Sequence, residues 1–292
     1  MESVFITLNS NCTRECSYCF YNTGHQKKRE ELLSVESITS FCTTLKGNGL
    51  KSLIFTGGEP LLFSELSELI EWMKKSDFYT LLITNGDLLT DKKKRELQQN
   101  GLSAITVSLH IESNSKKELE EKMQKISKGI ELPLTFIFTQ TSVNYELADK
   151  ALTIAKKMGK GLILQSAYIP SSSDISDTLS LKNLFRRNKD LIGKFKKDIV
   201  DWSEEFNSYE YAKLFLSLFS ENPENPVFCP MGTNVAVLNC DGEVIPCFHR
   251  EDLSIGNIIK DDINSIAVKI DKFSKTLCTA ECFGEHCVSL FA

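Results

Sequence analysis

The chain has 292 residues, 41% of them apolar and 25% charged, and a net charge of −5. That is enough chain for a sizeable core of ordinary globular composition, and the acidic balance excludes a broad nucleic-acid footprint. No stretch approaches 18 uninterrupted apolar residues and "MESVFITLNS" lacks a basic region and an apolar run, so neither a membrane span nor a signal peptide is expected, and the chain is assigned to the cytoplasm.

Strands and helices alternate through the first 170 residues. Short apolar runs bounded by Gly, Asn or Pro predict strands at Val4–Leu8, Leu53–Thr56, Thr80–Thr84, Ala104–Leu109, Leu134–Thr139 and Leu162–Ala167. Helical spacing appears between them. Ile38, Phe41, Cys42 and Leu45 follow Ser34 as N-cap, and Leu66, Leu69, Ile70 and Met73 repeat the pattern. Ser115 and Glu118 form a capping box opening a helix whose stripe is Leu119, Met123, Ile126 and Ile130. The lysine runs Asp91–Glu96 and Gly193–Asp198 read as solvated helix faces. Six β-then-α units predict an α/β fold, an incomplete (β/α)6 TIM-like barrel over residues 1–175, with functional residues at the C-terminal ends of its strands. Residues 176–226 form a helical linker segment ending in "ENPENP". Residues 227–292 form a small cysteine-rich β-hairpin/helix unit holding six of the ten cysteines. A unit that short builds little core, and a bound metal centre would help hold it.

Ten cysteines in a reducing compartment point to metal, cluster or catalytic roles rather than disulfides. Cys12, Cys16 and Cys19 place three soft ligands in one loop after strand 1, in C-x3-C-x2-C spacing. Structural zinc sites close with four protein ligands. Three thiolates without a local fourth suit a cubane with one open iron; His25 is the nearest other donor and reads as a surface histidine. Cys42 lies on an apolar helix stripe and reads as core.

The three-cysteine loop, with Tyr18 before its third cysteine, resembles the signature of the radical S-adenosylmethionine (SAM) superfamily. So does "FTGGEPLL" (Phe55–Leu62) after strand 2, together with "TNG" (Thr84–Gly86) and Ser108 at the end of strand 4. The resemblance spans Val4 to about Pro170. It implies that Cys12, Cys16 and Cys19 hold a [4Fe–4S] cluster and that SAM chelates the fourth iron. Reductive cleavage then gives a 5′-deoxyadenosyl radical that abstracts a substrate hydrogen. Tyr18, Gly57, Gly58, Glu59, Pro60, Asn85 and Ser108 are the implied SAM-site residues. Gly57 and Gly58 let backbone approach SAM, carbonyls there and Glu59 accept from its ammonium, and Pro60 fixes the turn exit. Asn85 fits a turn former nearly as well as a ligand contact. His110 stands where many relatives carry an acidic residue, and the sequence leaves open whether it faces substrate.

Cys229-x12-Gly242-x4-Cys247 resembles the start of the SPASM and twitch extensions that hold auxiliary clusters. Locally it reads as a hairpin with Asp241-Gly242 as a two-residue turn, pairing Cys240 with Glu243 and Cys247 with Ala236. Cys240 and Cys247 then lie roughly 23 Å apart at about 3.3 Å per residue, so they cannot share a cluster. Cys278, Cys282 and Cys287 supply the tail ligands. The count fits one auxiliary [4Fe–4S] cluster on Cys229, Cys247 and two tail cysteines; zinc suits four thiolates equally. The resemblance implies an enzyme that modifies a peptide by crosslinking, epimerisation or oxidation, supplied by a reduced flavodoxin- or ferredoxin-type donor. A start directly at strand 1, without a leader-recognition domain, mildly weakens a leader-dependent substrate. The alternatives are a twitch-type dehydrogenase of an aminocyclitol or other small molecule, a molybdenum-cofactor-type cyclase, whose double-glycine tail is not matched here, and a non-catalytic iron–sulfur or zinc redox regulator.

Overall fold

A computed structural model describes residues 1–24, 26–167, 169, 174–188, 190, 191, 193, 231, 232 and 234–272. His25, Cys229, Cys278, Cys282, Cys287, "ENPENP" and most of the expected helical segment 176–226 lie outside the described residues. Strand β1 (Ser3–Thr7) leads into the cysteine loop and α1 (Val35–Lys46). There follow β2 (Ser52–Thr56), α2 (Leu66–Lys75), β3 (Tyr79–Thr84), α3 (Asp91–Gln99), β4 (Ala104–Leu109), α4 (Lys116–Ser127), β5 (Leu134–Gln140), α5 (Ala148–Lys157) and β6 (Gly161–Ser166). All six strands pair in parallel, in the order β6-β5-β4-β3-β2-β1. Each returns through a helix, as a parallel crossover requires. Two short helices follow, α6 (Ser176–Leu179) and α7 (Leu181–Arg187).

The helices form because their apolar residues share a face that the sheet can cover. Ile38, Phe41, Cys42 and Leu45 of α1 are buried, as are Leu66, Leu69, Ile70 and Met73 of α2. Ser34 caps α1 by accepting from the Ser37 backbone N–H. The box at α4 is half made: Ser115 Oγ accepts from Glu118 N, but the Glu118 carboxylate accepts from Ser113 Oγ instead of the cap backbone. Helix α4 ends at Ser127, and Ile130 reaches the core from the following turn. The run Asp91–Glu96 is a solvated face except at Lys94. There the side chain is 3% exposed, and its Nζ donates to the carbonyls of Lys125 and Lys128 at the end of α4. A helix C-terminus is where an ammonium is best placed.

The C-terminal hairpin continues the same sheet. Strand β7 (Val235–Leu238) lies parallel to β1 on the edge opposite β2, and β8 (Glu243–Ile245) and β9 (Gly256–Asn257) follow antiparallel, giving nine strands among the described residues. Helix α8 (Ile263–Lys272) packs beside α1. The expected two-residue turn is replaced by a three-residue loop. Val237 pairs with Ile245 and Leu238 with Val244, one residue off the expected register. Gly242, at φ +84°, takes the left-handed position of a three-residue hairpin. Cys240 is thereby turned inward and fully buried, its Sγ 3.4 Å from Ser10 Oγ. Inside the barrel Phe5, Ile54, Val235, Val237, Ile245 and Cys247 form an apolar cluster apart from the main core beneath the helices.

Candidate functional site

The ends of β1 and β2 set the site. Their register matches Thr7 with Thr56, so the cysteine loop and the "GGEP" loop leave the sheet side by side. They continue as a backbone ladder: Gly58 N donates to Asn9 O at 2.9 Å and Glu59 N to Asn11 O at 2.7 Å. A Cβ on Gly57 would stand 2.5 Å from Asn9 O, and one on Gly58 would collide with Asn11 O. The glycines are therefore required by packing between the two loops, besides any approach to a ligand.

Glu59 has a different place from the one expected. Its side chain is fully buried. The carboxylate accepts from Leu61 N, Thr84 Oγ1 and Asn85 N at 3.1, 2.6 and 2.9 Å. Burial raises its pKa while these donors lower it. It ties the turn at Pro60–Leu62 to the end of β3 and does not line the cavity; nor does Pro60, which opens that turn.

Cys12, Cys16 and Cys19 are free thiols, exposed, buried and half-buried respectively. The loop is held from several sides. Asn22 Nδ2 donates to Cys16 O, and Asn85 Nδ2 to Thr13 Oγ1 at 3.0 Å and toward Cys12 Sγ at 3.5 Å. Arg14 pairs with Asp87 at 3.2 Å and donates to His110 O. Burial pushes the Cys16 thiol up to about 11, with Arg14 pulling it back. Tyr18 is 7% exposed, its phenol 3.0 Å from His110 Nδ1. His110 itself is lowered to about 3 by burial, with Lys122 and Arg14 adding repulsion. Burial therefore favours its neutral form, and the ring lines the cavity.

One cavity of about 270 Å³ joins these groups. Cys12, Cys16, Cys19, Tyr18, Gly57, Gly58, Asn85 and Ser108 line it, and so do Cys247, His110 and Phe248. Among the described residues no three His, Cys, Asp or Glu side chains converge on a single ion position. A cubane does not require that, because each thiolate binds a different iron. Three free thiols on one loop, beside a glycine pair with no side chain in the way, fit a cluster with one coordination position left for a ligand. The auxiliary set is placed only at Cys247. The sequence missed Arg14, Asp87, Asn22 and Arg29. Arg14 and Asn22 lie within or next to the cysteine motif, and Asp87 directly follows "TNG". Arg29, bridging Asp241 at 2.7 Å and Glu251 at 3.3 Å, carries no local signal.

A parallel barrel that gathers three free thiols and a glycine cradle at one cavity defines a metallocofactor enzyme. Residues 6–131 match the Radical SAM superfamily, and residues 229–287 match the SPASM iron–sulfur cluster-binding domain, from Cys229 to Cys287. The chain carries a radical SAM domain and a C-terminal SPASM domain, which together imply a SAM-binding [4Fe–4S] cluster and auxiliary iron–sulfur binding. It is similar to a "Probable GTP 3′,8-cyclase" of Methanococcus maripaludis, 23% identical over 305 residues that cover 96% of this chain and 97% of the relative. Native anSMEcpe with bound AdoMet and Cp18Cys peptide shares the fold at TM-score 0.65 and 21% identity, covering 93% of this chain and 81% of that one. Streptococcus suis SuiB bound to precursor peptide SuiA aligns at TM-score 0.62 and 12% identity, covering 94% and 65%. Among the described residues no helix is long and apolar enough to cross a membrane.

Proposed function

We propose that this protein cleaves SAM reductively and abstracts a hydrogen from a peptide substrate seated in the barrel cavity. The observation that carries the reading is the single cavity shared by the three loop cysteines, the Gly57–Gly58 cradle and Cys247. A [4Fe–4S] cluster with SAM supplies, when bound there, the 5′-deoxyadenosyl radical. Cys12, Cys16 and Cys19 would hold that cluster. Gly57, Gly58, Asn85 and Ser108 line the place for SAM, with Tyr18 beside them. Glu59 keeps the "GGEP" turn in shape from below, and Arg14 with Asp87 holds the loop against β3 and β4. The strand ends form the floor and sides of the cavity, and a substrate seated in its mouth would shield a reactive intermediate from water. One auxiliary cluster would sit on Cys229, Cys247 and two of Cys278, Cys282 and Cys287, and a reduced flavodoxin- or ferredoxin-type protein in the cytoplasm would supply electrons. The domain limits 1–175, 176–226 and 227–292 belong to this proposal.

A peptide substrate is supported by the peptides bound to the two solved structures of similar fold. A second reading, cyclisation of GTP, is favoured by curated relatives of that name aligned over nearly the whole chain. The test is anaerobic reconstitution with iron and sulfide, followed by SAM and dithionite. Formation of 5′-deoxyadenosine is expected, and its absence while the cluster absorbance is intact overturns the reading. Replacing Cys12, Cys16 and Cys19 with Ala removes product and that cluster's absorbance together. Cys247→Ala lowers the iron content while SAM cleavage continues. GTP converted to a 3′,8-cyclised product would decide for the second reading.

A further inference from the structure

We propose that the part of the cavity beyond the cysteines and the glycine pair takes an uncharged residue of the substrate peptide and rejects ionic or phosphorylated units. This deepens the peptide reading above and rests on it. The floor is apolar: Phe5, Ile83, Ile137, Met231 and Phe248 line it. Phe5 and Phe248 meet edge to face, with ring centroids 5.3 Å apart. The rim comes from strand ends three and four places along the sheet from β2. It consists of Thr139, Gln165 and Ser166, neutral groups that donate and accept hydrogen bonds.

Among the described residues no Asp, Glu or Lys lines the cavity. Its one guanidinium among them, Arg14, is already engaged by both Asp87 oxygens and His110 O, at 3.2–3.3 Å. Two imidazoles also line it, and the surroundings of His110 favour its neutral form. Among the described residues, an ion brought into this part of the cavity leaves water without meeting a charged side chain that is free to pair with it, which is unfavourable. A triphosphate has the same difficulty several times over, because anion recognition relies on arginine or lysine clusters. A neutral residue exchanges water for the rim hydroxyls and for apolar contact with the floor.

The inference is tested by calorimetry on the full-length, anaerobically reconstituted, SAM-loaded protein. The probes are GTP and four capped pentapeptide amides of glycine with Leu, Ser, Asp or Lys at the centre. The Leu and Ser peptides are expected to bind at least about ten-fold more tightly than the Asp and Lys peptides, with no heat from GTP. Equal affinities, a tighter ionic peptide, no binding of any peptide, or binding of GTP overturns it. Thr139→Asp, at the rim, is expected to move the preference about ten-fold toward the Lys peptide, and an unmoved preference counts against the assignment. Formation of 5′-deoxyadenosine without peptide keeps the two readings apart. Protein that cleaves SAM yet shows no charge preference sinks this inference alone. Protein that forms none sinks the reading beneath it.

Discussion

Gly58 packs against the carbonyl of Asn11, and a side chain there would also stand 2.8 Å from the Ser10 carbonyl carbon. Both neighbours are backbone, so nothing flexible can give way. Gly58→Ala is expected to displace the cysteine loop and lower iron retention at least about ten-fold, an effect of the size a misplaced site produces; iron counting after desalting reads it. His110 makes a second prediction. Its folded pKa of about 3 lies below the ordinary 6.5. Between those values the unfolded chain binds a proton that the fold refuses, so stability is full above the upper value and is lost as pH falls. The slope is up to about 1.4 kcal/mol per pH unit. His110→Asn should flatten this segment in urea titrations of the cluster-free protein, and an unchanged slope would show that another group carries it. At this scale the sequence was most legible where one loop holds the whole motif, as with Cys12, Cys16 and Cys19. It misled at Glu59, because a carboxylate in a turn gives no sign of whether it faces a ligand or three donors of its own chain.

Between helices α3 and α4 the linking group is a buried charge. Lys94 satisfies two carbonyls that the end of α4 would otherwise leave open, at 2.9 and 2.7 Å. Burial lowers its pKa, and Asp91 at 3.8 Å opposes that shift. Hydrogen bonds to a charged group are worth about 1.5–3 kcal/mol, so Lys94→Met should destabilise the protein by about that amount in urea while leaving SAM cleavage intact. A lysine in a run of lysines reads as solvent-facing, and only the neighbouring helix reveals the exception. The strands and the α1 and α2 stripes were legible to within a residue or so because burial on one face imposes a period. The hairpin register was not. Asp241-Gly242 serves a two-residue or a three-residue loop, and the three-residue loop adopted here turns Cys240 inward.

At the scale of the whole molecule, β7 fills the second edge of β1 and carries Val235 and Val237 into the barrel's apolar floor. Removing residues 227–292 would therefore strip a hydrogen-bonded edge and uncover Phe5 and Ile54, besides taking away the SPASM cysteines. A chain ending at residue 226 is expected to be insoluble or aggregated, as bare edges and apolar patches are. A monomeric, helical product on size exclusion and circular dichroism would contradict this. The six-unit barrel was readable from its β-then-α rhythm. The docking of the hairpin onto β1 was not, since a strand's own residues do not name the edge it will join. Arg29 reinforces that docking by bridging from the chain after the cysteine loop to Asp241 and Glu251.

The pairing of Ser3 with Val235 also has a consequence in time. Strand β1 leaves the ribosome long before the β7 strand that pairs with it. At about 5–20 residues per second, the intervening chain takes on the order of 10–50 s to synthesise. Through that interval the edge of β1 that β7 will take has no partner strand, and the cysteine loop leaves β1 beside that bare edge. Pairing of β7 with that edge can follow only after its own synthesis, so the β1–β2 pairing is available well before the β1–β7 pairing.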